Sequence, residues 1–135
     1  FLHRKKAADI AKYLIKKLDI ATPGIHTPVR MLSGGNVKKV LLGREIEAGR
    51  DVLIVSYPVR GLDINSSYMI YNLLDEERKR GTAIIFVGED LDVLMALSDR
   101  IMVMADHRIA GITDARTVTK DYLGSLMTDT KGQVI

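Results

Sequence analysis

A serine followed by two glycines is the part of this sequence that is best suited to chemistry. Leu32-Ser33-Gly34-Gly35-Asn36 comes directly before residues with helical apolar spacing, so Ser33 is predicted to begin a helix. A Ser-Gly-Gly turn at a helix start exposes several backbone N–H groups with little side-chain bulk, and the helix dipole adds partial positive charge. Such a turn can hold a phosphate group. Taken alone, the same five residues fit a flexible turn before a helix cap equally well.

The elements that must position this turn alternate between helices and strands. Apolar spacings of three and four predict helices over residues 4–18, 34–48, 66–80, 90–97 and 117–127. Short apolar runs predict strands over 52–55, 83–87, 101–104 and 109–112, the last after a turn at Asp106-His107-Arg108. The continuous apolar runs are typical of strands covered on both faces. We therefore predict an α/β fold with a mainly parallel sheet flanked by helices.

Several single residues receive predicted roles within these elements. Val37, Val40, Leu41 and Ile46 should face inward from the second helix, Met95, Met102 and Met104 should fill the core, and Asp90 should cap a short helix. The histidines, His3, His26 and His107, are far apart in the sequence and are predicted to be surface or turn residues instead of metal ligands.

Composition restricts the classes of protein that remain. The chain has 135 residues, 47% of them hydrophobic, which suits at most one domain. It has no apolar run long enough to span a membrane, and the lack of cysteine excludes disulfides and thiolate metal sites. Its net charge is only +3, so a solvated surface is favoured and a nucleic-acid partner is not expected.

Several segments, taken in order, resemble the ATP-binding subunits of ABC transporters, and within them the ribose-type importers of simple sugars and nucleosides. Residues 32–36 resemble the signature loop, with Asn36 in place of the usual Gln and with Lys39 and Arg44 behind it as in the sugar importers. Residues 60–63 resemble the D-loop after the Walker B strand, and residues 89–92 and 98–101 resemble the switch region and the next strand. The match extends from about residue 28 to about residue 112.

The resemblance also shows which parts are missing. A phosphate loop of the form Gly-x-x-x-x-Gly-Lys-Ser/Thr is absent from the 135 residues, so the resemblance implies a partial P-loop NTPase domain without the Walker A strand. In the family fold that strand lies between the strands at 83–87 and 101–104. We expect these two strands either to pair directly or to leave an edge through which the chain self-associates. The isolated chain is expected to lack ATPase activity.

Three positions that are catalytic in the family differ here, so no catalytic residue is expected to be intact. Ser56 and Tyr57 stand where the family has an Asp that helps to hold magnesium and a Glu that polarises water, and Glu89 aligns with the switch His. A hydroxyl is a weak magnesium ligand, and a phenol is a poor base at neutral pH. This pattern resembles the C-terminal portion of the second, degenerate half of a fused double ATPase.

The residues that resemble the signature loop are all present, and the resemblance implies that they act on a nucleotide bound by another half of the protein. In the family, two halves pair head to tail, so Ser33, Gly34, Gly35 and Asn36 are expected to contact the nucleotide of the partner half, with Asp63 at the D-loop interface. The implied cofactors of the complete protein are ATP and Mg²⁺. The implied partners are the other nucleotide-binding half and the transmembrane permease subunits, and the implied location is the cytoplasmic face of the membrane.

The expected organisation has three parts, and two other functions stay open. Residues 1–48 should form the helical signature region, residues 49–127 the Walker B, D-loop and switch region, and residues 128–135 a tail. One alternative is a non-transport ABC-type ATPase, which is disfavoured because no inserted domain lies between Asn36 and Asp63. The other is a regulatory or scaffold domain that binds no nucleotide.

Overall fold

The computed structural model describes residues 3–128. They divide into two compact units, with the boundary between Ile85 and Phe86. The first unit contains helices α1 (Arg4–Lys17), α2 (Gly34–Glu47) and α3 (Ile64–Lys79), a short 3₁₀ helix (Val29–Met31) and strand β1 (Val52–Ser56). Strand β2 (Ala83–Val87) begins in it and continues past the boundary. The second unit contains α4 (Leu91–Leu97), β3 (Arg100–Ala105), β4 (Arg108–Asp114) and α5 (Lys120–Thr128).

Helices α1 and α2 pack closely because α2 has a glycine where they meet. Leu14 of α1 and its C-cap residue Leu18 are buried, and a Cβ on Gly43 would lie only 2.7 Å from Leu18 Cδ1 and 2.8 Å from Leu14 Cδ2. After α1 the chain turns at Asp19, whose φ is +47°. The buried side chain of Lys39 donates a hydrogen bond from Nζ to the Asp19 carbonyl at 3.1 Å. Lys39 thus joins α2 to the C-terminal end of α1, where a positive charge is favourable.

Strand β1 is buried on one face only, so the prediction of a strand covered on both faces is wrong. Leu53 and Val55 are buried, whereas Val52 is 55% exposed and Ile54 is 67% exposed. The alternation follows from the pleat, which directs successive side chains to opposite faces, and the described residues cover only one of those faces. The inward role predicted for Leu41 is also wrong, because Leu42 and Ile46 take the buried face of α2 and leave Leu41 51% exposed.

Helix α3 begins two residues earlier than predicted, because Asp63 caps it. The Asp63 carboxylate accepts a hydrogen bond from the Ser66 backbone N–H at 2.9 Å, which satisfies one of the N–H groups that a helix start leaves without a partner. Ile70, Leu73 and Leu74 form the buried face of the helix.

The second unit is built around a hairpin that packs against α5. Its core consists of Ile101, Val103, Ala115 and Leu123. The predicted turn between β3 and β4 is confirmed: Asp106 and His107 have φ values of +48° and +61°, which are typical of a two-residue hairpin turn. The opposite face of the hairpin remains exposed.

Two of the three methionines predicted to fill the core lie on that exposed face of the hairpin. Met102 is 50% exposed and Met104 is 67% exposed, so their predicted roles are wrong, while Met95 packs, partly buried, against the core. The reason is again strand alternation, since Ile101 and Val103 already occupy the inner positions. All three histidines are exposed, as predicted.

The strands form two separate two-stranded sheets. β1 pairs with β2 in a small parallel sheet, and β3 pairs with β4 in an antiparallel sheet with a register shift between Val103 and Met104. Among the described residues β2 and β3 do not pair, so direct pairing of these strands is wrong and self-association stays a prediction. The three-part division also stays a prediction, and residues 129–135 of the expected tail lie outside the described residues.

The close approach at Gly43 generates a stability prediction. Gly43→Ala should lower the free energy of unfolding by about 1 kcal/mol, because crowding of Leu14 and Leu18 (~1–3 kcal/mol) outweighs the helix propensity that alanine adds (~1 kcal/mol). Gly34→Ala in the same helix is the matched control, since a Cβ there meets nothing within 4 Å. Urea denaturation followed by circular dichroism would measure both. Equal unfolding midpoints for the two variants would contradict this account of the helix contact.

Candidate functional site

The Ser33-Gly34-Gly35-Asn36 turn begins helix α2, as predicted. Ser33 is the N-cap residue, and its Oγ accepts a hydrogen bond from Asn36 Nδ2 at 3.0 Å and a longer one from the Asn36 backbone N–H at 3.5 Å. A serine hydroxyl has two acceptor sites and one donor proton. With both acceptor sites engaged inside the turn, the Ser33 O–H is free to donate to an acceptor outside it. Ser33 is exposed, so that acceptor can be a ligand oxygen.

Asn36 fixes the turn to the segment after α1. Its Oδ1 accepts a hydrogen bond from the Ala21 backbone N–H at 3.1 Å, while its Nδ2 donates to Ser33. The oxygen and the nitrogen of the Asn36 carboxamide therefore bond to two different segments of the chain. The donors left to face a ligand are the Ser33 hydroxyl, the second Nδ2 proton of Asn36, and the N–H groups of Gly34 and Gly35.

The two glycines of the turn have different surroundings. A Cβ on Gly34 would meet nothing within 4 Å, and Gly34 is exposed. A Cβ on Gly35 would lie 3.1 Å from Leu62 Cδ2, so Leu62 packs directly on the Gly35 backbone. The N–H groups of both glycines belong to the first helical turn, where no acceptor exists within the helix. The open side at Gly34 is the side from which an anion can reach them.

The D-loop is held against α2 by two contacts. Lys38 Nζ donates a hydrogen bond to the Arg60 carbonyl, and Leu62 packs on Gly35. Sequence reasoning missed both Lys38 and Leu62. Leu62 belongs to the motif Arg60–Asp63 and could have been suspected for that reason, whereas no sequence signal could indicate that Lys38 binds a backbone carbonyl 22 residues away.

Ser56 and Tyr57 lie together where β1 ends. Both are exposed, and Tyr57 has a φ of +47°, a left-handed conformation that costs a residue with a side chain about 1–2 kcal/mol. The Tyr57 carbonyl accepts from the Arg60 N–H at 3.2 Å, and the Arg60 guanidinium lies 5.8 Å from the centre of the Tyr57 ring. Tyr57 is therefore a turn residue with a cationic neighbour, and neither residue contributes a carboxylate.

Within the described residues, the Asp63 carboxylate is hydrogen-bonded by Ser66. Hydrogen bonds from the Ser66 hydroxyl and backbone N–H lower the pKa of the Asp63 carboxyl, and the nearby Lys39 charge adds to this effect. The carboxylate therefore caps α3. Its expected role at a D-loop interface stays a prediction.

Glu89 belongs to the second unit and precedes α4. The residue after it, Asp90, caps that helix as predicted, accepting from the N–H groups of Asp92 at 3.0 Å and Val93 at 3.3 Å. Glu89 is exposed. Residues 3–128 contain no group of three or more histidine, cysteine or acidic side chains placed to hold a metal ion. Within the same residues, no helix has the length and apolar character needed to cross a membrane.

The chain is similar in sequence to curated import proteins. It is 39% identical over 127 residues to the ribose import ATP-binding protein RbsA of Bacillus subtilis, covering 94% of this chain and 26% of that protein. It is 37% identical over 122 residues to the galactose/methyl galactoside import ATP-binding protein MglA of Clostridium tetani, covering 90% and 24%. The chain belongs to the ABC ATPase family. It spans about a quarter of the length of these relatives. No protein-family model matches it.

Solved structures agree on the fold of this ABC ATPase segment. The dimeric structure of the bacterial ABC transporter cassette MJ0796 superposes with a TM-score of 0.74 at 18% identity, covering 87% of this chain and 51% of the cassette. A second structure of that cassette, in a post-hydrolysis state bound to ADP and phosphate, matches equally well. The predicted partial P-loop NTPase fold of the ABC type is thus confirmed, while the roles of individual residues stay predictions.

The Asp63 cap generates a prediction of pH dependence. Because the pKa of Asp63 is lower in the folded chain, ionised Asp63 stabilises the fold above about pH 4 and this contribution is lost as the pH falls further. Asp63→Asn keeps an oxygen acceptor for Ser66 but cannot titrate. Urea unfolding between pH 7 and pH 3 should therefore show a steeper acid loss in the wild-type chain than in the variant. Parallel losses would mean that Asp63 does not cap α3 as a carboxylate.

Proposed function

We propose that this chain is part of the ATP-binding subunit of an importer for a sugar or a nucleoside. The names of its relatives support this class of substrate, since they include import proteins for ribose, galactose, guanosine and arabinose. The observation that carries the proposal is the turn at the start of α2. It combines exposed first-turn N–H groups, a free Ser33 hydroxyl proton and an open side at Gly34.

We further propose that this turn acts on a nucleotide held by the partner nucleotide-binding half. The chain has no phosphate loop of its own, yet its signature residues Ser33, Gly34, Gly35 and Asn36 are complete. The groups available at the turn suit the terminal phosphate of ATP: N–H groups and one hydroxyl can donate, and the helix dipole favours negative charge. ATP bound in the partner half supplies the bond to be broken. The residues of this chain orient it and stabilise the charge that develops.

The nucleotide site that this chain itself would complete is proposed to bind ATP with little or no hydrolysis. Ser56 and Tyr57 offer a hydroxyl and a phenol, so this donor set does not fit the Mg²⁺ expected for a working site, which calls for carboxylate oxygen. Glu89 provides only acceptor oxygens when ionised, and it would repel a phosphate. We derive no catalytic step from these three residues.

The remaining partners follow from the proposed importer function. They are the other nucleotide-binding half, with ATP and Mg²⁺ in the complete protein, and the permease subunits at the cytoplasmic face of the membrane. The D-loop contacts support a mechanical role, because Lys38 and Leu62 join the loop to the signature helix within one unit. A movement of the signature turn would therefore be transmitted to residues 60–63.

The chain by itself should bind ATP weakly. Without a Gly-rich loop and its lysine, the phosphates lack most of their donors, so we expect no saturable binding at micromolar nucleotide. Isothermal titration calorimetry with ATP and Mg²⁺ would measure this. Low-micromolar affinity would show that the chain contains a nucleotide site that we have not recognised.

Two substitutions separate the proposed roles in a full-length protein that carries this segment. Gly35→Asp places a carboxylate beside the donor groups of the turn and forces Leu62 to move, so it should abolish most steady-state ATP hydrolysis, a loss of about 100-fold or more. Tyr57→Phe removes one hydroxyl from a site that has no base and should change turnover by less than about tenfold.

The control for this comparison is Gly35→Ala, which also crowds the Leu62 side chain but adds no charge. Hydrolysis by this variant should lie between the rates of the wild type and Gly35→Asp. If Tyr57→Phe is as damaging as Gly35→Asp, then Tyr57 takes part in the chemistry and the assignment of a degenerate site is wrong.

A further inference from the structure

The positive charge of this chain is concentrated in helix α1. Of the 14 residues of α1, six are basic and one is acidic, a net charge of +5. The rest of the chain has 14 basic and 16 acidic residues, a net charge of −2. The modest net charge of +3 for the whole sequence therefore conceals one strongly basic element on an otherwise slightly acidic protein.

Five of the six basic side chains of α1 are exposed and have no ionic partner among the described residues. Lys5, Lys12 and Lys16 are spaced by seven and four residues, which places them along one side of the helix over about 16 Å. Among the described residues, the only ion pair of α1 joins Lys17 to Glu47 at 3.8 Å. The charges of Arg4, Lys5, Lys6, Lys12 and Lys16 are thus available to a partner. Asp9 is the one acidic residue of α1 itself.

Helix α1 can present this basic side because its apolar side is occupied. Leu14 and Leu18 are buried against α2 at Gly43, which fixes the rotation of the helix and directs the lysines to solvent. The buried stripe cannot also enter a lipid layer. A partner must therefore be bound at the surface, mainly by charge.

A second feature adjoins the lysines. Ile10 and Tyr13 are 37% and 47% exposed, and they line an open groove of about 940 Å³ together with Lys6 and Glu47. The Lys17 ammonium lies 5.3 Å from the centre of the Tyr13 ring, and its hydrogen bond with Tyr13 raises the pKa of Lys17. A tyrosine and an aliphatic residue beside several lysines match the boundary between lipid headgroups and acyl chains, where aromatic side chains are favoured.

We propose that the exposed side of α1 binds the surface of a membrane that contains anionic phospholipids. The charge of α1 complements such a surface, and Ile10 and Tyr13 provide a small apolar contact at its edge. The choice of a membrane over a nucleic acid rests on the proposed importer function, which places the chain next to a bilayer. Binding itself requires neither nucleotide nor the partner half.

Vesicle co-sedimentation of the 135-residue chain tests this proposal. The chain should bind vesicles of 70% phosphatidylcholine and 30% phosphatidylglycerol at 50 mM salt, bind pure phosphatidylcholine at least tenfold more weakly, and dissociate at 500 mM salt. Each lysine near an anionic surface strengthens binding about fivefold. The triple variant Lys5→Gln/Lys12→Gln/Lys16→Gln should therefore bind the anionic vesicles about 100-fold more weakly. Asp9→Asn should strengthen it about fivefold by the same reasoning.

The matched control is Arg30→Gln/Arg50→Gln/Arg100→Gln, which removes the same charge from exposed positions outside α1. It should change vesicle binding by less than about threefold. An equal loss in both triple variants would overturn the proposal, since binding would then depend on net charge and not on α1. Tighter, lysine-dependent binding to a DNA duplex than to the vesicles would also overturn it. Because no ATP is used, these results are independent of whether Gly35→Asp abolishes hydrolysis.

Discussion

Helix α2 can approach its neighbours closely only where it has no side chain, and the candidate site depends on this constraint. At Gly43 the absence of a Cβ lets Leu14 of α1 and its C-cap residue Leu18 lie against the helix backbone. At Gly35, two turns earlier, it lets Leu62 of the D-loop do the same. Two close contacts fix the position of α2, and α2 in turn fixes the direction of the N–H groups at its start. The direction in which the turn presents these N–H groups is therefore a result of packing as well as of local sequence.

The elements that could be predicted from the sequence are those with a strong local signal. The five helices lie within a few residues of their predicted bounds, because apolar spacing marks them and Ser33 and Asp90 cap two of them. Asp90 and the turn at Asp106-His107 were predictable for the same reason, since a capping carboxylate and a two-residue hairpin turn act over three or four residues. The start of α3 differed because Asp63, assigned to the D-loop by its motif, is at the same time a helix cap.

Burial was harder to predict, because it depends on what covers a surface. The apolar run of β1 contains no polar residue to mark an outer face, yet Val52 and Ile54 are exposed and Leu53 and Val55 are buried. Met102 and Met104 illustrate the same limit in the hairpin. The hydrogen bond from Lys38 to the Arg60 carbonyl could not be predicted for a different reason. Every residue has a backbone carbonyl, so no pattern of residue types can identify which one Lys38 contacts.

The turn at the start of α2 and the end of β1, whose residues are proposed to be degenerate, are held by different contacts. The turn is held by hydrogen bonds among Ser33, Asn36 and the Ala21 N–H, whereas Tyr57 at the end of β1 is bonded to Arg60. A substitution at Ser56 should therefore leave the donor groups at the start of α2 in place. A connection between them runs through Arg60, whose guanidinium lies over Tyr57 while its carbonyl accepts from Lys38. A carboxylate at position 57 would replace that ring with a charge that attracts Arg60. A residue there could thus lose its chemical role and still influence how the D-loop sits on the signature helix.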